Sequence, residues 1–210
     1  MTGNAFFFRP TIRSGSGHLD CERRLFIHIE GFGGIGLIFK NTASNQADII
    51  TLAFYHPRRG GSNPDFDEQS MQILSLKARN RQVISSYYRI VDPLLGWDFA
   101  IAVVPSSDSA RIGSGIGDLA QLLAGPGRTD ATSCLVRHTT IPKLACGGDR
   151  KLEVHLNSIR VARTHLIRGR EVLLLDDITT TGNSLRACRI LLEQNGASLV
   201  KCLALAETAS

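Results

Sequence analysis

Asp176 and Asp177 stand side by side where the apolar run Val172-Leu173-Leu174-Leu175 ends, and Ile178 leads on to Thr179-Thr180-Thr181-Gly182-Asn183-Ser184. Adjacent carboxylates are acceptors suited to a vicinal diol. They are also hard oxygen donors for a divalent cation, and they raise the negative potential around positive charge developing on a sugar. The hydroxyl-rich stretch gathers backbone N–H groups and side-chain hydroxyls around one point where a helix starts. Orphan amides and the helix dipole favour an anion there by roughly 0.3–2 kcal/mol. Gly182 allows the backbone to approach a phosphate closely. Two acids before a turn could simply cap that turn. The coincidence of apolar run, acid pair, aliphatic residue, Thr-Gly, and a Ser two residues beyond the glycine points instead to a sugar phosphate.

The elements that must position these residues are legible on either side. Glu171–Leu175 is a strand of continuous apolar type. Gly182 to Asn195 is a helix with Leu185, Cys188, Ile190, Leu191 and Leu192 inward, stopped by Gly196, and Leu199–Leu205 is a final strand. Upstream, Phe99–Val104 is a buried strand closed by Pro105, Ile116–Leu123 a helix and Ser133–Val136 a strand. From Asp65 onward, with Asp65 or Asp67 as cap, Met71, Leu74, Leu76, Val83, Ile84 and Tyr87 supply a helical apolar stripe. Strands alternating with helices predict an α/β fold, a mostly parallel central sheet with helices on both faces. In such sheets ligands bind outside the carboxyl ends of the strands, where the acid pair lies. The polar stretch Arg137 to about Asn157 carries Lys143, Gly147, Gly148, Asp149, Arg150 and Lys151, and is long for a connector. It reads as a functional lid or a solvated loop. Before the Arg-, Gly-, Ser- and Pro-rich loop His56–Pro64, candidate strands are Leu25–Glu30, Gly36–Lys40 and Ile49–Tyr55. The expected division is a β-rich amino-terminal hood over residues 1–64 and an α/β domain over 65–210.

Bulk properties narrow the classes. With 210 residues and 43% hydrophobic content, the chain can bury a core without metal or disulfide staples. The net charge of +5 suits a polyanionic ligand. Arg58, Arg59, Arg79, Arg81 and Arg89 beside Tyr87 and Tyr88 read as a solvated helix face rather than a nucleic-acid surface. None of the five cysteines stands in a C-x-x-C pair, which argues against a zinc knuckle and for reduced thiols, with Cys188 and Cys202 in the core. No apolar stretch approaches membrane-spanning length, so no membrane partner is expected and the expected location is the cytoplasm. Gly113-Ser114-Gly115-Ile116-Gly117 lacks the G-x-G-x-x-G spacing of a dinucleotide fingerprint. The six histidines show no ligand spacing.

The string Val172 to Ser184 resembles the phosphoribosyl pyrophosphate signature of type I phosphoribosyltransferases: an apolar strand, two acids, an aliphatic residue, two variable residues, then Thr-Gly-x-Thr or Ser. Val103-Val104-Pro105-Ser106-Ser107, Arg111, Leu119-Ala120 and Asn195-Gly196-Ala197 are similar to the competence-type, ComF-like branch. The resemblance runs from about Ile73 to Thr208, without the amino-terminal zinc-binding cysteine cluster that many members of that branch carry. It implies the type I phosphoribosyltransferase fold and a transferase of nucleotide metabolism. Ribose 5-phosphate would pass from phosphoribosyl pyrophosphate to a nitrogen nucleophile, a base or amine not further defined, with Mg2+ as cofactor. By that resemblance Asp176 and Asp177 contact the ribose hydroxyls and hold the metal directly or through water. Thr179, Thr180, Thr181, Gly182, Asn183 and Ser184 take the 5-phosphate. Pro105, Ser106, Ser107 and Asp108 form the pyrophosphate loop, with a non-proline cis peptide expected in it. Lys143, Arg150 or Lys151 act from the lid, Lys77 is a further pyrophosphate contact, and a homodimer is left open. The competing reading is a sensor that binds phosphoribosyl pyrophosphate or a nucleotide without turnover. The cations of the expected lid favour the enzyme.

Overall fold

The computed structural model describes residues 11–13, 48–58, 60, 63–141 and 151–209. The expected strands Leu25–Glu30 and Gly36–Lys40 and the cations Lys143 and Arg150 lie outside the described residues. Along the chain the strands are β1 (Thr11–Arg13), β2 (Ile49–Tyr55), β3 (Ala100–Val103), β4 (Thr129–Asp130), β5 (Leu135–Arg137), β6 (Ile159–Val161), β7 (Glu171–Thr179) and β8 (Leu199–Thr208). The helices are α1 (Glu68–Lys77), α2 (Arg81–Val91), α3 (Gly115–Leu123), α4 (Leu152–Leu156) and α5 (Asn183–Gln194).

Among the described residues six strands make one sheet in the order β1-β2-β8-β7-β3-β4, and every pairing but β1 with β2 is parallel. The apolar runs Ala100–Val103 and Val172–Leu175 are buried at every position, as strands covered on both faces must be. Side chains alternate between two cores. Ile101, Val103, Leu173 and Leu175 face Ile73 and Leu76 of α1, Ile84 of α2 and Leu119 of α3. Ala100, Ala102, Val172 and Leu174 face Leu185, Cys188 and Leu192 of α5. Helices thus cover both faces, as expected. Burial pushes the Cys134 thiol up to about 12, the Cys202 thiol up to about 11, and the Cys188 thiol up as well, so these cysteines behave as unreactive core residues. Among the described residues no helix is long and apolar enough to cross a membrane.

Three expectations change. First, the hood over residues 1–64 does not end where the sheet begins. Ile49–Tyr55 lies inside the main sheet, parallel to β8 from Ile49↔Cys202 to Tyr55↔Thr208, with Ile50, Leu52 and Ala53 in the core. β2 and α1 bury their side chains in one shared core. Second, the helical stripe is broken into two helices. Asp67, not Asp65, caps α1 by accepting from the Ser70 N–H at 2.8 Å. Arg79, at φ 62, ends that helix, and Asn80 caps α2 by accepting from the Gln82 and Val83 amides. Met71 turns outward, 48% exposed, while Ile73 and Leu76 are buried. Third, the strand expected at Ser133–Val136 is Leu135–Arg137. It pairs antiparallel with β6 in a separate two-stranded sheet, and the short β4 takes the edge of the main sheet.

The junction of α1 and α3 is close. A Cβ on Gly115, the first residue of α3, would stand 1.8 Å from the Leu76 carbonyl oxygen. Backbone must move to admit it, so Gly115→Ala is expected to cost on the order of 3 kcal/mol by overpacking. Denaturant unfolding monitored by circular dichroism would show it as a lower midpoint at unchanged slope.

Candidate active site

Chain direction at the sheet centre creates the site. From β3 the chain crosses through α3 to β4, while from β7 it crosses through α5 on the other face to β8. Neighbouring strands β3 and β7 therefore send their connections opposite ways, and a crevice opens at their carboxyl ends. Val104 N–H donates to the Leu175 carbonyl at 2.9 Å, which sets Pro105 beside the start of the acid pair.

β7 continues through the acids to Thr179, past its expected end at Leu175. Asp176 pairs with Ala204 of β8 and Thr179 with Glu207. The carboxylates are thus fixed by the sheet rather than carried on a loose turn. Successive residues point to opposite faces of a strand, and the acids divide accordingly. Asp176 turns towards α5, where the Ser184 hydroxyl donates to its Oδ2 at 3.3 Å. Asp177 turns towards α1, where Lys77 Nζ stands 3.3 Å from its Oδ1. Each carboxylate also accepts the amide of the next residue, Asp177 N–H at 2.9 Å and Ile178 N–H at 2.7 Å. The Asp176 carboxyl is pushed up to about 8, first by burial and then by the charge of Asp177, against the opposing pull of the Asp177 amide, Lys77 and Ser184.

The turn that follows is rich in hydroxyls and runs into the amino end of α5. Gly182 holds φ 76, a left-handed backbone, and a Cβ there would stand 2.8 Å from Ile49 Cδ1. Thr180 and Thr208 hydroxyls meet at 2.8 Å, and Arg186 Nη1 donates to the Thr181 carbonyl at 3.0 Å. α5 carries no acidic side chain in its first turn, so its positive end stays available to an anion. Thr179 Oγ1 is buried without a hydrogen-bond partner among the described residues.

The loop after β3 closes the other side. Ser106 Oγ accepts the Asp108 amide at 3.2 Å, the Ser107 carbonyl accepts from Ile141 N–H at 2.9 Å, and Ser109 N–H donates to Thr140 Oγ1 at 3.0 Å. No peptide among the described residues is cis, so the expected cis bond in Pro105–Asp108 is absent and these hydrogen bonds fix the loop instead. Of the stretch Arg137–Asn157, which the sequence offers as a lid, residues 142–150 lie outside the described residues. Arg137 and His155 are buried, and α4 packs against α5. Lys151 is exposed at the start of α4.

The fold thus sets Asp176, Asp177, Thr179 to Ser184 and Pro105 to Asp108 at the carboxyl ends of the neighbouring central strands β7 and β3, and adds Lys77. The sequence flagged Lys77 only through its resemblance. It did not assign a role to Arg137, whose guanidinium reaches the Ser106 carbonyl. An arginine closing the short run Leu135-Val136-Arg137 was the available signal.

Residues 142–210 match the phosphoribosyl transferase domain. The match contains β7, the turn and α5 entire. Over 49 residues the chain is 45% identical to the adenine phosphoribosyltransferase of Treponema denticola, covering 23% of this chain and 26% of that enzyme. The chain therefore spans about a quarter of that relative's length. Among solved structures it is similar to the phosphoribosylpyrophosphate synthetase of Mycobacterium smegmatis, with TM-score 0.37 and 16% identity over 75% of this chain and 53% of that one. It is also similar to a hypoxanthine phosphoribosyltransferase of Staphylococcus aureus, with TM-score 0.31 and 12% identity over 66% of this chain and 68% of that one.

Proposed function

We propose that the chain is a phosphoribosyltransferase that moves ribose 5-phosphate from phosphoribosyl pyrophosphate to the nitrogen of a base or amine, with release of pyrophosphate. The observation that carries the reading is the position of the matched turn. Asp176-Asp177 extend β7 beyond its pairing with β3, and Thr179 to Ser184 lead from them into the amino end of α5. In this reading Asp176 and Asp177 hold the ribose 2- and 3-hydroxyls, and Thr179 to Ser184 hold the 5-phosphate at the α5 amino end. The buried, unpartnered Thr179 hydroxyl is a donor for that ligand. Pro105 to Asp108 meet the pyrophosphate, and Lys77, which pairs with Asp177, is a further contact. Lys143 and Arg150 are proposed to add positive charge there. The similarity of Val103 to Ser107 and Asn195 to Ala197 to the ComF-like branch supports placing the chain in it.

The acid pair fits Mg2+. Two neighbouring carboxylates offer hard oxygens, and Asp177 already attracts one cation, Lys77. Among the described residues no three His, Cys, Asp or Glu side chains cluster to form a complete cage. Bound at the acid pair, Mg2+ would neutralise charge on the departing pyrophosphate. The chain's own residues orient the sugar, hold negative charge beside the anomeric carbon as it becomes cationic, and exclude water.

Calorimetric titration with phosphoribosyl pyrophosphate and Mg2+, followed by a pyrophosphate-release assay over a panel of bases and amines, tests this. Binding with release from one acceptor class is expected. Binding without release from any acceptor would leave a sensor in place of the enzyme, and no binding would refute the reading altogether.

A further inference from the structure

We propose that Arg137 is a positioning residue that aims the Ser107 amide at the pyrophosphate half of the donor. This rests on the transferase reading and assigns a part of that site which the motif does not name.

Arg137 closes β5 and is 5% exposed. A guanidinium withdrawn from water is costly unless its donors are used. Its Nε donates to the Ser106 carbonyl, Nη1 donates to Ser158 Oγ at 2.5 Å, and Nη2 lies 3.5 Å from His155 Nδ1. Ser158 Oγ in turn donates to the Val154 carbonyl at 2.7 Å, and Ser158 O accepts the His138 amide at 3.0 Å. One end of the guanidinium is thus seated on α4 and the residue before β6, and the other holds the loop after β3.

Peptide geometry gives that grip a direction. In a trans peptide the C=O of one residue and the N–H of the next point opposite ways. Drawing the Ser106 carbonyl inward onto Arg137 turns the Ser107 N–H outward, away from the guanidinium. The neighbouring groups are already committed. The Ser107 carbonyl takes the Ile141 amide and the Asp108 amide goes to Ser106 Oγ. The Ser107 N–H has no partner among the described residues. It is therefore a preset donor at the carboxyl edge of β3. A preset donor gains a charge-assisted hydrogen bond to an anion without a further ordering cost.

The consequence is selective. The 5-phosphate cradle belongs to β7 and α5, so loosening the β3 loop should spare it. Inorganic pyrophosphate and ribose 5-phosphate, each titrated separately with Mg2+, report the two halves. Arg137→Lys keeps the charge but loses the fork. It is expected to weaken pyrophosphate binding about tenfold, roughly 1.4 kcal/mol, and to leave ribose 5-phosphate within about twofold. Ser158→Ala keeps the buried cation but removes one of its acceptors. It should give a smaller loss in the same direction, on the order of threefold. That variant carries the test should Arg137→Lys fail to fold. Unchanged pyrophosphate affinity in the variants that fold, or an equal loss of both ligands, would overturn the assignment. Wild-type protein that binds ribose 5-phosphate but not pyrophosphate would also overturn it, with the transferase reading intact. Binding of neither ligand by the wild type would refute the transferase reading itself.

Discussion

Replacing both Asp176 and Asp177 by Asn is expected to lower affinity for phosphoribosyl pyrophosphate with Mg2+ at least about 100-fold, and to abolish turnover, while the fold persists. Each carboxylate would accept a ribose hydroxyl in a charge-assisted hydrogen bond worth about 1.5–3 kcal/mol. Losing the charge at two such positions removes about 3 kcal/mol or more, which is about two orders of magnitude in affinity. The loss of attraction for the metal adds to this. The fold has reason to survive. The intramolecular partners of the pair are the amides of Asp177 and Ile178, the Ser184 hydroxyl and Lys77. An Asn carbonyl accepts the amides and the hydroxyl, and Lys77, 41% exposed, can turn to water. Titration calorimetry beside a circular dichroism spectrum separates the two effects. Affinity unchanged in a folded double variant would remove these residues from the ribose site.

The acid pair was legible because its signal is local. An apolar strand, two carboxylates, a left-handed glycine and a helix start occupy one short segment, and no distant residue is needed to recognise them. The sheet was legible for the same reason at Ala100–Val103 and Val172–Leu175, whose unbroken apolar character demands cover on both faces. What the sequence hid depends on pairing across the chain. β2 reads as a strand, but its alternation cannot say whether it joins a hood or the main sheet. That is decided by β8, whose residues Leu203 and Ala204 stand opposite Ile50 and Thr51. β4 is two residues long, Thr129–Asp130, and carries no apolar pattern to find. Arg137 looked like the start of a polar loop because charge normally marks solvent. Partners met from other elements, among them the Ser106 carbonyl and the Ser158 hydroxyl, make its burial tolerable.

Asp176→Asn alone is expected to stabilise the ligand-free protein at neutral and alkaline pH while it damages the site. The Asp176 carboxyl, ordinarily at 3.8, is raised to about 8 by burial and by the charge of Asp177. Between those values the folded protein keeps a proton that the unfolded chain releases, so stability falls as pH rises through this window. The contribution is fully present below about pH 4 and is lost as pH climbs through about 8. At roughly 1.4 kcal/mol for each pH unit, the upper bound is on the order of 5 kcal/mol. Water reaching the half-buried side chain lowers it, and about 2–3 kcal/mol is a reasonable expectation. An amide at this position has no charge to desolvate. The variant should therefore match the wild type near pH 4 and unfold several degrees higher near pH 8, about 5–10 °C for a chain of this size. Differential scanning calorimetry across that range would show the gap opening with pH. A gap that stayed constant would refute the buried charge of Asp176 as its cause. The direction matters for function. A carboxylate that burial favours in its protonated form would gain its charge on binding the cation or diol proposed for it. In the proposed reading the position gives up stability in the ligand-free protein for a site that would become anionic where a cationic sugar would form.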